Sequence, residues 1–332
     1  MTKDHRRGRL LQVNPTLGTI RDKSPGFIVT ACATVADTLV SDIITRTYLF
    51  VDKVTELSED NQLPGPEWLN PNFSEQEISY GMDPDIYNNP AYEPHMVTAL
   101  TSIPSMSLVL DLNSLFNPDS GIYVNALKHG VEWERRTSLE LIHPDGSEGF
   151  QINCGVRIRG GWSRHDGCPK RAFRFFFKNE YDNGKLKYPL FGDEGVDKFD
   201  KIDLRTAMNY SWSYRGNTKN TFLRDVFSRD VQRDMGNPYT RSRYYHLYIN
   251  GTYWGLYQTQ ERSEASFAEQ YFGGSREDYD VVKVNTGENF NIYNVEATDG
   301  TLDAWRRLWD AAQIGFESDE SYFKVQGYNI NG

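Results

Sequence analysis

Cysteine is scarce in this chain of 332 residues: Cys32, Cys154 and Cys168 are the full set. Three thiols cannot close a disulfide framework, and no Cys-x-x-Cys pair suggests zinc. Cys154 and Cys168 flank one loop and could pair if the strands around it are neighbours; two buried thiols is the plainer reading. Long apolar runs are missing too, so no stretch reaches the roughly 20 residues of a membrane-crossing helix. Nor is there a basic surplus. Lys and Arg number 36 against 46 Asp and Glu, a net charge of −10. That sets aside nonspecific binding of nucleic acid or of an anionic membrane by the surface at large. An ordinary signal peptide is not recognisable either. The start, MTKDHRRGRLLQ, is basic, and the first apolar run begins only at Phe27.

Aromatic residues are plentiful. Tyr and Phe, at 20 and 18, favour a strand-rich fold with ample apolar mass for a core. The length allows one large domain or two ordinary ones.

Residues 150–178, FQINCGVRIRGGWSRHDGCPKRAFRFFFK, organise the rest. Ile152, Cys154, Val156 and Ile158 alternate with Asn153, Gly155, Arg157 and Arg159, the period-two pattern of a half-buried strand. After Pro169, Ala172 to Phe177 reads as a second, more deeply buried strand. Between them lie Gly160, Gly161, Ser163, Arg164, Gly167 and Lys170. Glycines let backbone amides approach a ligand, and the cations Arg157, Arg159, Arg164, Lys170 and Arg171 attract an anion. Such a loop can hold a nucleotide's phosphates. It can equally be a basic hairpin with a solvated tip, since a loose Gly/Arg loop is a weak motif.

Along the chain, residues 1–26 look irregular, and 27–54 read as two strands without partners of their own. A Pro-, Asn- and acid-rich connector follows over 58–95, anchored by Trp68, Phe73 and Tyr80. Ser102–Leu112 is a buried strand, and Thr137–Gly146 pairs as a hairpin with the strand from Gln151. A helix is expected over Asn217–Met235, capped by Thr218 or Asn220 and stopped by Gly236, with Phe222, Leu223, Val226, Phe227, Val231 and Met235 on its apolar stripe. Asn250-Gly251 between two aromatic runs marks a two-residue hairpin turn. Thr301–Gln313 reads as an amphipathic helix with Leu302, Trp305, Leu308, Trp309 and Ala312 inward.

The ordered set GVRIRGGWSR, PKRAFRFFFK, KLKYPLFGD, FDKIDLRTA, RDMG and LYINGTYWGLYQTQER resembles the CotH kinase family of spore-coat-like proteins, from about Ser102 to at least Val284. The piece VTACATVADTLVSDIITRTYLF looks like the last strands of a chitobiase C-terminal-like β-module. The resemblance implies an α+β fold, a reduced and atypical protein-kinase-like one with an antiparallel sheet and flanking helices. It implies four stretches: an irregular N-terminus over 1–26, a β-module remnant over 27–55, a wrapping segment over 56–99, and the kinase-like domain over 100–332. It further implies ATP with Mg²⁺ or Mn²⁺, and phosphorylation of protein Ser/Thr by the full-length form at a cell surface or outside the cell. Lys170 then holds phosphate, supported by Arg157, Arg159, Arg164 and the Gly160, Gly161 and Ser163 turn. Glu261 orients Lys170 or a metal, or simply offsets a helix dipole. The family's catalytic and metal-binding acids should follow residue 284, no stretch here matches them, and the sequence is expected to be a fragment with those acids beyond Gly332. A surface module that binds glycan or protein without catalysis, or a structural coat component, are the competing functions. Oligomeric state stays open.

Overall fold

The computed structural model describes residues 25–35, 38–39, 41–56, 63–65, 68, 78, 80–208, 214, 218–286 and 293–328. The sequence expectations for residues 1–24 and for Phe73 lie outside these. The chain divides into two compact units, one ending at Gln260 and one beginning at Glu261.

The first unit is built on a closed barrel of seven strands. A two-stranded ribbon, β1 (Gly26–Ala31) and β2 (Ile44–Leu49), precedes it. The barrel strands are β3 (Ser105–Val109), β4 (Arg135–Ile142), β5 (Gln151–Arg159), β6 (Ala172–Phe176) and β7 (Lys201–Arg205), then β8 (Tyr244–Ile249) and β9 (Thr252–Gln260). Strands β3 to β7 run as an antiparallel meander. The β8–β9 hairpin closes it: β9 pairs antiparallel with β7, while β8 pairs parallel with β3, His246 opposite Ser105. Strands β5 and β6 and this hairpin, each read separately from the sequence, share one sheet. It curls shut, leaving no free edge of its own.

Alternation decides what fills the barrel. Met106, Leu108, Leu139, Ile152, Val156, Ile158, Phe173, Phe175, Ile202, Leu204 and Leu247 are all buried in one apolar cluster. Trp254 joins Trp68, Tyr80 and Tyr123 there, meeting Tyr123 edge-on at 5.6 Å and Tyr80 at 5.8 Å. Trp68 and Tyr80, two of the three aromatics expected to be anchors, are thus part of the core. Fully burying each such side chain stabilises by about 1.5–3 kcal/mol before cavity terms.

Asn250 and Gly251 form the expected turn, with φ of 46° and 82°. The Asn250 side chain also accepts from the Leu110 amide and donates to the Leu110 carbonyl, tying the turn to the end of β3. Gly26 packs directly on this turn; a Cβ at Gly26 would lie 2.4 Å from the Gly251 Cα. The β1 and β2 strands, read as lacking partners, pair with each other. The barrel receives β2 through Thr47, whose hydroxyl bonds Ser107 at 2.7 Å and whose amide donates to Glu140 at 2.8 Å.

The helix expected over 217–235 is α1, Arg224–Asp234. Phe222, with φ of 54°, stands in the left-handed region and delays the helix past its expected caps. Its stripe is not a buried face: Leu223, Phe227 and Met235 are exposed. Cys154 and Cys168 are buried thiols not joined in a disulfide, and Cys32 is exposed.

In the second unit, α2 (Ala265–Phe272) precedes the hairpin β10 (Val281–Thr286) and β11 (Tyr293–Asp299), then α3 (Asp303–Ile314) and α4 (Asp319–Val325). Leu308 and Trp309, expected inward on α3, are 45% and 54% exposed. Antiparallel sheet with flanking helices makes the class α+β. Among the described residues no helix is long and apolar enough to cross a membrane.

Candidate functional site

Strand parity sorts the basic segment. In β5, Val156 and Ile158 point into the core, which sends Arg157 and Arg159 to the outer face; in β6, Phe173 and Phe175 do the same for Arg174. Register then sets Arg157 opposite Arg174. Like charges placed so repel, and buried carboxylates hold them. Asp203 of β7 accepts from Arg174 Nε at 2.6 Å through Oδ1 and from Arg174 Nη2 at 3.0 Å through Oδ2, and Oδ2 also lies 2.9 Å from Arg159 Nε. Glu134 takes Arg157 Nε at 2.7 Å, Lys178 Nζ at 2.6 Å and the Tyr181 hydroxyl at 2.9 Å. Burial by itself would raise the Glu134 carboxyl; the hydrogen bonds from Lys178, Arg157 and Tyr181 outweigh it and hold the pKa below the usual range.

The loop after β5 begins at Gly160, with φ of 119° and a steric reason for glycine: a Cβ there would lie 2.0 Å from Ser163 Oγ. Gly161 faces open space. Two arginines hold the loop from inside. Buried Arg164 donates to the carbonyls of Gly160, Ala126, Lys128 and Ile158, at 2.6, 2.7, 3.1 and 2.5 Å. Fully buried Arg171 donates to the Ser163 and His165 carbonyls. Burial, with repulsion from Arg174, Arg159 and Arg171, brings the Arg164 pKa down to about 10.

Lys170 heads β6 from a pinned position. The Tyr123 hydroxyl donates to the Pro169 carbonyl at 2.5 Å, and the Tyr257 hydroxyl donates to the Arg171 carbonyl at 2.9 Å. The Lys170 ammonium lies 4.6 Å from the centroid of the buried Trp254 ring, within cation–π range. Burial pushes its pKa down to about 7. Its stem is half-buried and its charge is desolvated. Glu261 belongs to the second unit, where it accepts from the Tyr271 hydroxyl.

The predicted residues therefore fall into two places in the first unit. Arg157, Arg159 and Arg164 line one cleft together with Arg174 and Lys128, and neither Lys170, Gly161 nor Ser163 lines it. Sequence reasoning missed Arg174, Lys128, Glu134 and Asp203. Arg174 was readable from its alternation with Phe173 and Phe175; the two carboxylates carried no local signal. Among the described residues, no group of three or more His, Cys, Asp or Glu side chains could hold a metal ion.

A family model described as CotH kinase protein matches residues 156–326, more than half of the chain and the whole of this loop. The chain belongs to the CotH kinase family. The match starts within β5 and continues to the end of α4, so it includes the Gly-rich loop, Lys170, the closing hairpin and Glu261. No curated protein matches the chain. Membership in the CotH kinase family brings with it a kinase-like function.

Proposed function

We propose that this CotH family domain grips the nucleotide of an atypical kinase, which takes ATP with Mg²⁺ or Mn²⁺ and, in its full-length form, transfers the terminal phosphoryl group to Ser or Thr hydroxyls of a protein. Lys170 and the Gly160–Ser163 turn are the parts we assign to the nucleotide's phosphates. The observation that carries this is the Lys170 ammonium, fixed at the head of β6 and desolvated against Trp254. A charge removed from water interacts strongly with an approaching anion, and a phosphate beside Lys170 would restore the proton that burial disfavours. The backbone on both sides is already held by Tyr123 and Tyr257, so little ordering remains to be done on binding.

In the transfer itself, the acceptor hydroxyl oxygen bonds to the terminal phosphorus as the bond to the bridging oxygen breaks, ADP leaves, and the hydroxyl proton passes to a base. A divalent ion, when bound with the nucleotide, would supply screening of phosphate charge. Among the described residues, no group of three or more His, Cys, Asp or Glu side chains could hold it.

ATP with Mg²⁺, added to the purified chain at about 100 times its dissociation constant, should raise stability by about 2.7 kcal/mol. A melting curve checks this. AMP, which lacks the distal phosphates, should give little shift, and an unmoved curve at millimolar ATP would remove the proposal.

A further inference from the structure

The outer face of β5 and β6, together with the 122–133 segment, encloses a cleft of about 140 Å³. Lys128, Arg157, Arg159, Arg164 and Arg174 line it, and no Asp or Glu does. The two carboxylates that reach these cations are shared among several. Glu134 serves Arg157 and Lys178, and Asp203 serves Arg159 and Arg174. Arg164 directs its donors to backbone carbonyls, which satisfy hydrogen bonds without cancelling a charge. Five cations thus share one small concavity with two carboxylates at its margin.

Arg guanidiniums converging from adjacent strands form the arrangement that recognises phosphate bidentately. The volume sets the size of the ligand. Sites for nucleotide-sized ligands run from about 300 Å³ upward, so this cleft accommodates one phosphoryl group and little more. Lys170 and the Gly161–Ser163 turn lie outside its lining.

We propose that this cleft is a second anion site, separate from the nucleotide's, which takes a single phosphate monoester group. The inference rests on the kinase reading for its biology, since a kinase domain makes such groups on protein side chains, but its geometry is independent of Lys170. Two sources share the chemistry: a phosphorylated Ser or Thr side chain, and a free or small-molecule phosphate.

Three probes titrated into the whole chain separate these: inorganic phosphate, a phosphoserine peptide with its unphosphorylated twin, and ATP with Mg²⁺. The proposal expects phosphate to bind, and Arg174→Gln to weaken it by about tenfold or more, the loss of a charge-assisted bidentate contact. Because Arg174 also holds Asp203, exposed Lys128→Gln serves as a variant that leaves the barrel intact, with a smaller loss. ATP affinity should stay unchanged in both. Phosphopeptide binding much tighter than inorganic phosphate, with no binding of the twin, identifies a phosphorylated side chain as the source; equal affinity identifies the free ion or small ester. No phosphate binding, or equal loss of ATP and phosphate in both variants, overturns the second site. Loss of ATP binding in wild type with phosphate binding retained would overturn the nucleotide reading and leave this one standing.

Discussion

Asp203→Asn should lower stability by about 3 kcal/mol, one of the two largest effects expected from single substitutions in this chain. The carboxylate is 1% exposed and stands between Arg159 and Arg174. An amide in its place keeps one acceptor oxygen, turns donors toward the other guanidinium and cancels neither charge. Removing one partner of a buried ion pair costs about 3–5 kcal/mol. The lower end applies because both arginine side chains keep about a fifth of their surface in water, 23% and 22%. A urea titration should show the midpoint falling with the slope unchanged. A loss under about 1 kcal/mol would mean that solvent screens the cluster as it does surface pairs.

Trp254→Ala should cost about 3–5 kcal/mol, enough to unfold a marginal domain. Trp254 is 1% exposed, and Trp68, Tyr80 and Tyr123 all pack on it. Those partners come from the wrapping segment and from the 122–133 side of the barrel, so one cavity loosens both. Near-ultraviolet circular dichroism and a thermal melt together check it. An unchanged melt would show that Trp68 and Tyr80 do not depend on this ring for their packing. Trp254→Phe, which keeps most of the volume, should lose much less.

How far the fold could be read from the sequence depended on how local the deciding chemistry was. Asn250-Gly251 specifies its turn through backbone preference alone, and it is found as expected. The alternation of Val156 and Ile158 with Arg157 and Arg159 needs only the two-residue period of a strand, so their opposite faces were legible. Closure was not. It depends on β8 pairing parallel with β3 and β9 with β7, contacts between segments far apart in the chain. The start of α1 was missed because Phe222 takes a φ that its residue type disfavours, and Tyr244 donates to its carbonyl from another strand. Its apolar stripe satisfied helical periodicity, which says that a face is apolar and not what covers it.

The candidate site was half legible for a related reason. A run of arginines shows where positive charge is, but not what its donors meet. Arg164 and Arg171, counted as cations for a ligand, spend donors on carbonyls of the same loop. Arg157 and Arg159 meet Glu134 and Asp203, one from the segment before β4 and one from β7. Lys170, beyond the last residue of regular alternation, gave no hint that Trp254 lay beneath it. Only the tertiary fold brings that indole to the loop.

Calorimetry of ATP with Mg²⁺ on the wild-type chain and on Lys170→Met tests the central claim most directly. Methionine keeps the stem and a favourable sulfur contact with the Trp254 ring while removing the charge, so the fold should persist and only the phosphate contact should go. The account predicts binding by the wild type and a tenfold to hundredfold weaker affinity in the variant, the worth of about 1.5–3 kcal/mol for one charge-assisted contact. Equal affinity in the two folded proteins would contradict it.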